Sequence, residues 1–156
     1  MGIEIEKKFL VKNNSWRSLA SGTKYLQGYL NSTKEHTVRV RTIRDRGYLT
    51  IKGISKGAVR LEYEYEIPVE EARAILEKLC EKPLIEKKRH KIKYKGFIWE
   101  VDEFFGDNQG LIIAEVELKS EDQKFIRPGW VGEEVTRDSR YYNANLIHFP
   151  FRKWRD

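Results

Sequence analysis

The chain has 156 residues, 40% hydrophobic and 12% aromatic, which suits one domain with its own core and is too little for two independent ones. Thirty basic against 24 acidic residues give a formal charge of +6, which points to an anionic partner without choosing among nucleic acid, phosphorylated metabolites and lipid. No apolar run is long enough to span a bilayer and the first residues lack a secretory signal, so no membrane partner and a cytoplasmic protein are expected.

The first stretch, GIEIEKKFLV, sets Ile3, Ile5, Phe9 and Val11 at strand period, with Glu4, Glu6 and Lys8 between them. Asn14 or Ser15 then caps a short helical turn that runs through Leu19 and stops by Gly22. Four β-rich segments follow, at residues 24–31, 35–44, 46–53 and 58–68, separated by turn material at Asn31-Ser32, Asp45-Arg46-Gly47 and Gly57. They read as consecutive antiparallel strands. Pro68 opens the one long helix, which Pro83 closes, with Val69, Ala72, Ile75, Leu76 and Leu79 on its apolar face. Cys80 belongs to that pattern as a small core residue and has no partner for an internal disulfide. Three further strands, at 84–94, 97–104 and 110–120, are joined at Lys95-Gly96 and around Gly106-Asp107. The tail is rich in aromatics and lacks period-two runs, so it reads as short helices packing over the sheet.

Charge alternates with hydrophobe on nearly every strand. Arg39 and Arg41 stand two apart, as do Glu62 and Glu64, Lys87 and Arg89, Glu100 and Asp102, and Glu115 and Glu117; these pairs without Glu100, together with Lys52, Glu4, Glu6 and Lys8, make up the set. Any single pair fits an open sheet with a solvated outer face. The whole set spread over the strands fits better a closed eight-stranded antiparallel barrel, an α+β domain whose interior is charged and whose outside is covered by the helix and the tail. Desolvating so many ions costs several kcal/mol each before pairing offsets it, so such a lining implies function.

Mixed charge narrows the ligand. Arg and Lys suit phosphate oxygens, but carboxylates in the same cavity repel phosphate unless divalent cations sit between them. Seven acids and six bases leave the proposed lining at −1. Two divalent ions would make it attractive to a tripolyphosphate carrying roughly four to five negative charges.

In order, Glu4-x-Glu6-x-Lys8, Arg39-x-Arg41, Thr50-x-Lys52, Glu62-x-Glu64, Lys87-x-Arg89, Asp102 and Glu115-x-Glu117 resemble the CYTH superfamily, the triphosphate tunnel metalloenzymes. The tail, with Pro128, Trp130, Gly132, Glu134-Val135-Thr136 and Tyr141-x-Asn143, is similar to that of short bacterial tripolyphosphatases. The resemblance implies a tunnel in which Lys8, Arg39, Arg41, Lys52, Lys87 and Arg89, with Arg137, grip a triphosphate. It implies a first metal on Glu4 and Glu6 with help from Glu115 and Glu117, and a second site served by Asp102, Glu62 and one late glutamate, where water is activated; Glu62, Glu64 and Asp102 are the expected catalytic carboxylates. The cofactor implied is Mg²⁺ or Mn²⁺, two ions with substrate bound, and the reaction is hydrolysis of tripolyphosphate to pyrophosphate and phosphate. Nucleoside, thiamine or RNA 5′-triphosphates and cyclisation of ATP are the alternatives within the family. A non-catalytic polyphosphate or nucleic-acid binding module is the alternative outside it, and the acids in the site argue against nucleic acid. A homodimer is compatible with the sequence.

Overall fold

The alternating segments become β1 (Ile3–Val11), β2 (Gly22–Asn31), β3 (His36–Ile43), β4 (Arg46–Gly53), β5 (Val59–Ile67), β6 (Ile85–Tyr94), β7 (Phe97–Phe104) and β8 (Ile112–Glu117). In the computed structural model, which describes residues 2–154, they pair antiparallel in the order β5-β4-β3-β2-β6-β7-β8-β1, and β1 returns to β5. The sheet therefore closes into the expected eight-stranded barrel. Closure is short, with Ile3, Glu4 and Ile5 opposite Leu61, Arg60 and Val59.

Beyond Ile5, β1 leaves β5 and its free edge takes a ninth strand, β9 (Val131–Glu134), at Phe9 and Val11. This strand corrects the expectation of short helices alone in the tail. Its four residues are too few to show an alternation, and it forms because the uncovered edge of β1 has backbone groups that need partners. Between the two partner strands, the Glu6 N–H donates to the Ala58 carbonyl at 3.0 Å and the Lys8 N–H to Thr136 Oγ1 at 3.0 Å.

The helix α1 (Val69–Lys78) ends earlier than its apolar pattern suggested. Proline disfavours helical geometry in the residue before it, and the Lys82 ammonium turns back onto the carbonyls of Leu76 and Glu77, capping the helix end. Leu79, expected on the buried face, is consequently exposed. Ala72 and Leu76 are buried and pack with Val40 and Cys80 on the outside of the barrel, so Cys80 is the core residue its pattern implied.

A second outer core joins Phe9, Trp99, Val101 and Val116 on strands β1, β7 and β8 to Trp16 and Trp130 from the connecting segments. The cover is incomplete. Ile51, Leu61, Tyr63 and Tyr65, on the outer face of β4 and β5, stay exposed, as does Ile3 beside them. The last part of the tail forms α2 (Asn143–Leu146) between short 3-10 turns and packs over one end of the barrel. None of the described helices is long and apolar enough to cross a membrane.

Candidate active site

Alternation in the strands puts one side of each into the barrel, where a cavity of about 1160 Å³ opens. It is lined by Glu4, Glu6 and Lys8 of β1, Arg39 and Arg41 of β3, Lys52 of β4, Glu62 and Glu64 of β5, Lys87 and Arg89 of β6, and Glu115 and Glu117 of β8. Twelve of the thirteen residues of the proposed lining thus face one space; the thirteenth, Asp102, is on the same face of its strand but covered by Arg89 and Lys87, at 1% exposure. Lys34, Arg60, Lys91 and Lys119 add charge at the openings, and Glu100 adds a carboxylate inside. Ten basic and seven acidic side chains make this lining positive, where the sequence count gave −1. The difference arises because those four lysines and arginines lie outside the alternating strand pairs.

Register turns the alternation into ion pairs. Lys52 is opposite Glu62 across β4 and β5, Arg89 is opposite Asp102 across β6 and β7, and Lys8 is opposite Glu115 across β1 and β8. Lys52 Nζ lies 3.1 Å from Glu4 and 3.4 Å from Glu62. The Lys8 ammonium is bonded to Glu115 and stands 3.4 Å from Glu6. Arg39 and Arg41 each come within 3.4 Å of the same Glu64 oxygen, which also accepts the Thr50 hydroxyl at 2.8 Å. Asp102 accepts Arg89 through Nε at 2.7 Å and Nη2 at 2.9 Å, and lies 2.8 Å from Lys87 Nζ. Buried Tyr25 separates the Arg41 and Arg89 guanidiniums, 5.0 and 4.9 Å from its ring centre, a favourable seat for two like charges.

These surroundings move the proton affinities in opposite directions. Burial, with Glu115 and Glu4 alongside, pushes the Glu6 carboxyl up to about 8. Burial also raises Glu117, which faces Glu4, Glu62 and Glu100. Glu115 and Asp102 go the other way: burial opposes ionisation, but Lys8 and Arg89 hold the first well below the usual carboxylate range, and Arg89 and Lys87 hold the second there. Burial carries Lys87 down to about 7 despite Asp102, with Arg89 and Arg41 adding to the effect. Arg41 is lowered to about 10 by burial and by Arg39 and Arg89.

Acid crowding marks one place where a cation fits. Oxygens of Glu6, Glu100 and Glu115 lie within 4.8 Å of one another, with Lys8 and Arg89 beside them. Hard divalent ions take such oxygen sets. Glu100 comes from the β7 stretch WEVDEF and stands opposite Glu115 in register, so the alternation with Asp102 was the signal that could have placed it in the site.

Arg137 stands at the edge of this space, against Gly57, which lines it. It is exposed, lies beside the Glu121 carboxylate, and does not itself line the cavity. Lys91 lines the cavity from an exposed position, 3.9 Å from Glu100. The tail brings in residues that periodicity could not mark: Thr136, Ser139, Tyr142 and Asn143 all reach the cavity. The histidines keep apart, His90 packed edge-on to Trp16 and His148 at the surface against Ser32.

Comparison with known proteins agrees with this geometry. The CYTH domain profile matches residues 2–148. The inorganic triphosphatase of Acetivibrio thermocellus is 56% identical over 156 residues, the full length of both chains. That of Nitrosomonas europaea is 39% identical over 147 residues, 92% of this chain and 95% of the relative. A crystal structure of an inorganic triphosphatase superposes with a TM-score of 0.66 at 36% identity, covering 92% of this chain and 93% of the other.

Proposed function

The chain belongs to the CYTH family, and on that footing we propose that it hydrolyses inorganic tripolyphosphate to pyrophosphate and phosphate inside the barrel. The observation that carries this reading is the convergence of six cations from four strands, Lys8, Arg39, Arg41, Lys52, Lys87 and Arg89, on one cavity that also holds a close carboxylate trio. Cations alone would serve any anion. The trio beside them fits a phosphate chain carried with divalent metal, and both relatives act, by name, on inorganic triphosphate.

Cleavage of a phosphoanhydride requires an in-line nucleophile, neutralised charge on the transferred group and a stabilised leaving group. Arg39 and Arg41 present planar forks from adjacent inward positions of β3, and Lys8, Lys52, Lys87 and Arg89 surround the chain with point charges and a third fork. The carboxylates that pair with them keep these side chains extended and oriented before substrate arrives, which reduces reorganisation during the reaction. Glu4, Glu6, Glu100, Glu115 and Glu117 would hold Mg²⁺ or Mn²⁺, two ions with substrate bound, supplying charge neutralisation on phosphate oxygens and a more acidic water. Glu62 and Glu64 are assigned to orienting the attacking water from the β5 wall. Asp102, sealed behind Arg89 and Lys87, acts through those two cations by fixing where they point.

Phosphate release from tripolyphosphate tests the reading with Glu6→Gln and Glu4→Gln. Each variant should lose at least a hundredfold in metal-dependent rate with an unchanged far-ultraviolet spectrum. Turnover by the double variant at more than a tenth of the original rate would overturn the assignment.

A further inference from the structure

Tyr25 stands between two arginines that belong to different strands. β2 runs between β3 and β6, with Gln27 opposite Arg41 on one side and Thr23 opposite Arg89 on the other. Both arginines are therefore diagonal neighbours of Tyr25, a spacing that an aromatic ring can span. Alternation turns Leu26 outward against the core beside α1, and leaves Tyr25 buried on the side where Gln27 and Tyr29 also point. The ring centre then lies 5.0 Å from the Arg41 guanidinium and 4.9 Å from that of Arg89.

The two guanidiniums do not need the ring equally. Arg89 is bonded to Asp102 at 2.7 and 2.9 Å and has Glu100 and Glu115 at 3.3 and 3.4 Å. Arg39 donates to the Thr50 hydroxyl at 3.1 Å besides reaching Glu64. Arg41 has far less. Its one ion pair among the described residues is with Glu64 at 3.4 Å, on an oxygen already shared by Arg39 and Thr50, and its Nε is buried without a hydrogen-bond partner. Burial disfavours its charge, and Arg39 and Arg89 repel it. A long cation in such a place swings its head toward water unless something holds it. The Tyr25 ring is what remains. A guanidinium stacks well on an aromatic face, and the attraction grows where water is excluded. The tyrosine hydroxyl has no hydrogen-bond partner among the described residues, so the face of the ring is the part in use.

We propose that Tyr25 is a positioning residue whose ring fixes the Arg41 fork, so that its unspent N–H groups meet the phosphate chain on arrival. The inference rests on the tripolyphosphatase reading and adds to that site an uncharged residue that does not itself line the cavity. Arg89 keeps its place through Asp102 whatever happens to the ring, so the effect of Tyr25 runs through Arg41. Displacement of such a clamp by about 1 Å is enough to cost on the order of a hundredfold in rate.

The test is the hydrolysis of tripolyphosphate with Mg²⁺. Tyr25→Leu should lower kcat/KM at least tenfold, while Tyr25→Phe, which keeps the face, should stay within threefold of the unaltered chain. Pentafluorophenylalanine at the same position keeps the shape of the ring and removes the negative potential of its face. It should fall as far as Tyr25→Leu, and it reads the face even where the leucine variant folds poorly. A double-mutant cycle then shows which cation is served. With Arg41→Gln in place, Tyr25→Leu should cost less than threefold. With Lys52→Gln, whose parent ammonium is held by Glu4 and Glu62, it should still cost at least tenfold. Titration calorimetry with tripolyphosphate reads the same cycle through Kd in variants too slow to assay. Equal losses in the two backgrounds would mean general damage to the barrel and would overturn the role. So would a Tyr25→Phe loss as large as that of Tyr25→Leu, or full activity with the fluorinated ring. Absence of tripolyphosphate hydrolysis by the unaltered chain would count against the underlying reaction, whereas an additive cycle with that reaction intact would count against Tyr25 alone.

Discussion

Replacing Asp102 with Asn removes one charge and almost no volume from a position at 1% exposure. The carboxylate it eliminates is bonded to Arg89 at 2.7 and 2.9 Å and stands 2.8 Å from Lys87. Breaking a buried pair by removing one partner costs about 3–5 kcal/mol, because the other charge is left uncompensated. The two cations do not suffer equally. Arg89 keeps Glu100 at 3.3 Å and Glu115 at 3.4 Å, while Lys87 is left with the neutral Asn143, the attraction of Glu115 without an ion pair to it, and like charges on Arg89 and Arg41. Lys87 is already lowered to about 7 by its burial, so it can shed its proton at modest cost and place the loss at the lower end of the range. We expect about 3 kcal/mol, or a fall in Tm of roughly 6–12 °C for a chain of this size. Urea unfolding in chelator, with m compared between the proteins, measures it. Adding Lys87→Met to Asp102→Asn should return more than half of the loss. A loss below 1 kcal/mol, or no recovery in the double variant, would refute the reasoning, since the pair would then be effectively solvated.

Other positions give simpler outcomes. Leu146→Ala empties a fully buried site in the apolar cluster between the tail and the barrel and should cost about 2–5 kcal/mol by chemical denaturation, with the larger value if the cluster cannot collapse. Gly47→Ala would bring a new methyl to 2.6 Å from the Ala72 Cβ, so the α1 seat must shift and about 1–3 kcal/mol should be lost in thermal unfolding. Glu100→Gln should weaken Mn²⁺ binding at least tenfold by calorimetry without substrate, because it removes one charge from the Glu6–Glu100–Glu115 trio. Arg17→Ala, which breaks an outer pair with Glu103 at 2.9 Å, should change stability by less than about 1 kcal/mol.

Much of the barrel was legible because period two is a backbone property: charged and apolar residues that alternate must separate onto two faces. Arg39 and Arg41, or Lys87 and Arg89, declare their side of the sheet by spacing alone, and closure then brings them together with Glu4 and Glu115. Tertiary context decided the rest. Ile85, Phe104 and Ile113 obey the same alternation yet are apolar at inward positions, and only the tail packed against them explains why. Val131–Glu134 is a strand because β1 offers an edge, and Leu79 is exposed because Lys82 and Pro83 end the helix before it. Asn143 and Thr136 lie in a segment without periodicity, so no spacing rule could bring them to Lys87 and Lys8. Arg137 shows the reverse case, an arginine near cavity residues in sequence that lies against the lining residue Gly57 without lining the cavity itself.

The central claim is that a charged barrel and divalent metal together hydrolyse inorganic tripolyphosphate. Its most direct test is phosphate release from tripolyphosphate, ATP, thiamine triphosphate, pyrophosphate and long-chain polyphosphate, each with Mg²⁺, Mn²⁺ or chelator. Release from tripolyphosphate should exceed that from ATP, thiamine triphosphate and pyrophosphate, be abolished by chelator and be restored by metal; undiminished turnover in chelator, or silence with tripolyphosphate in both metals, would contradict a metal-dependent tripolyphosphatase.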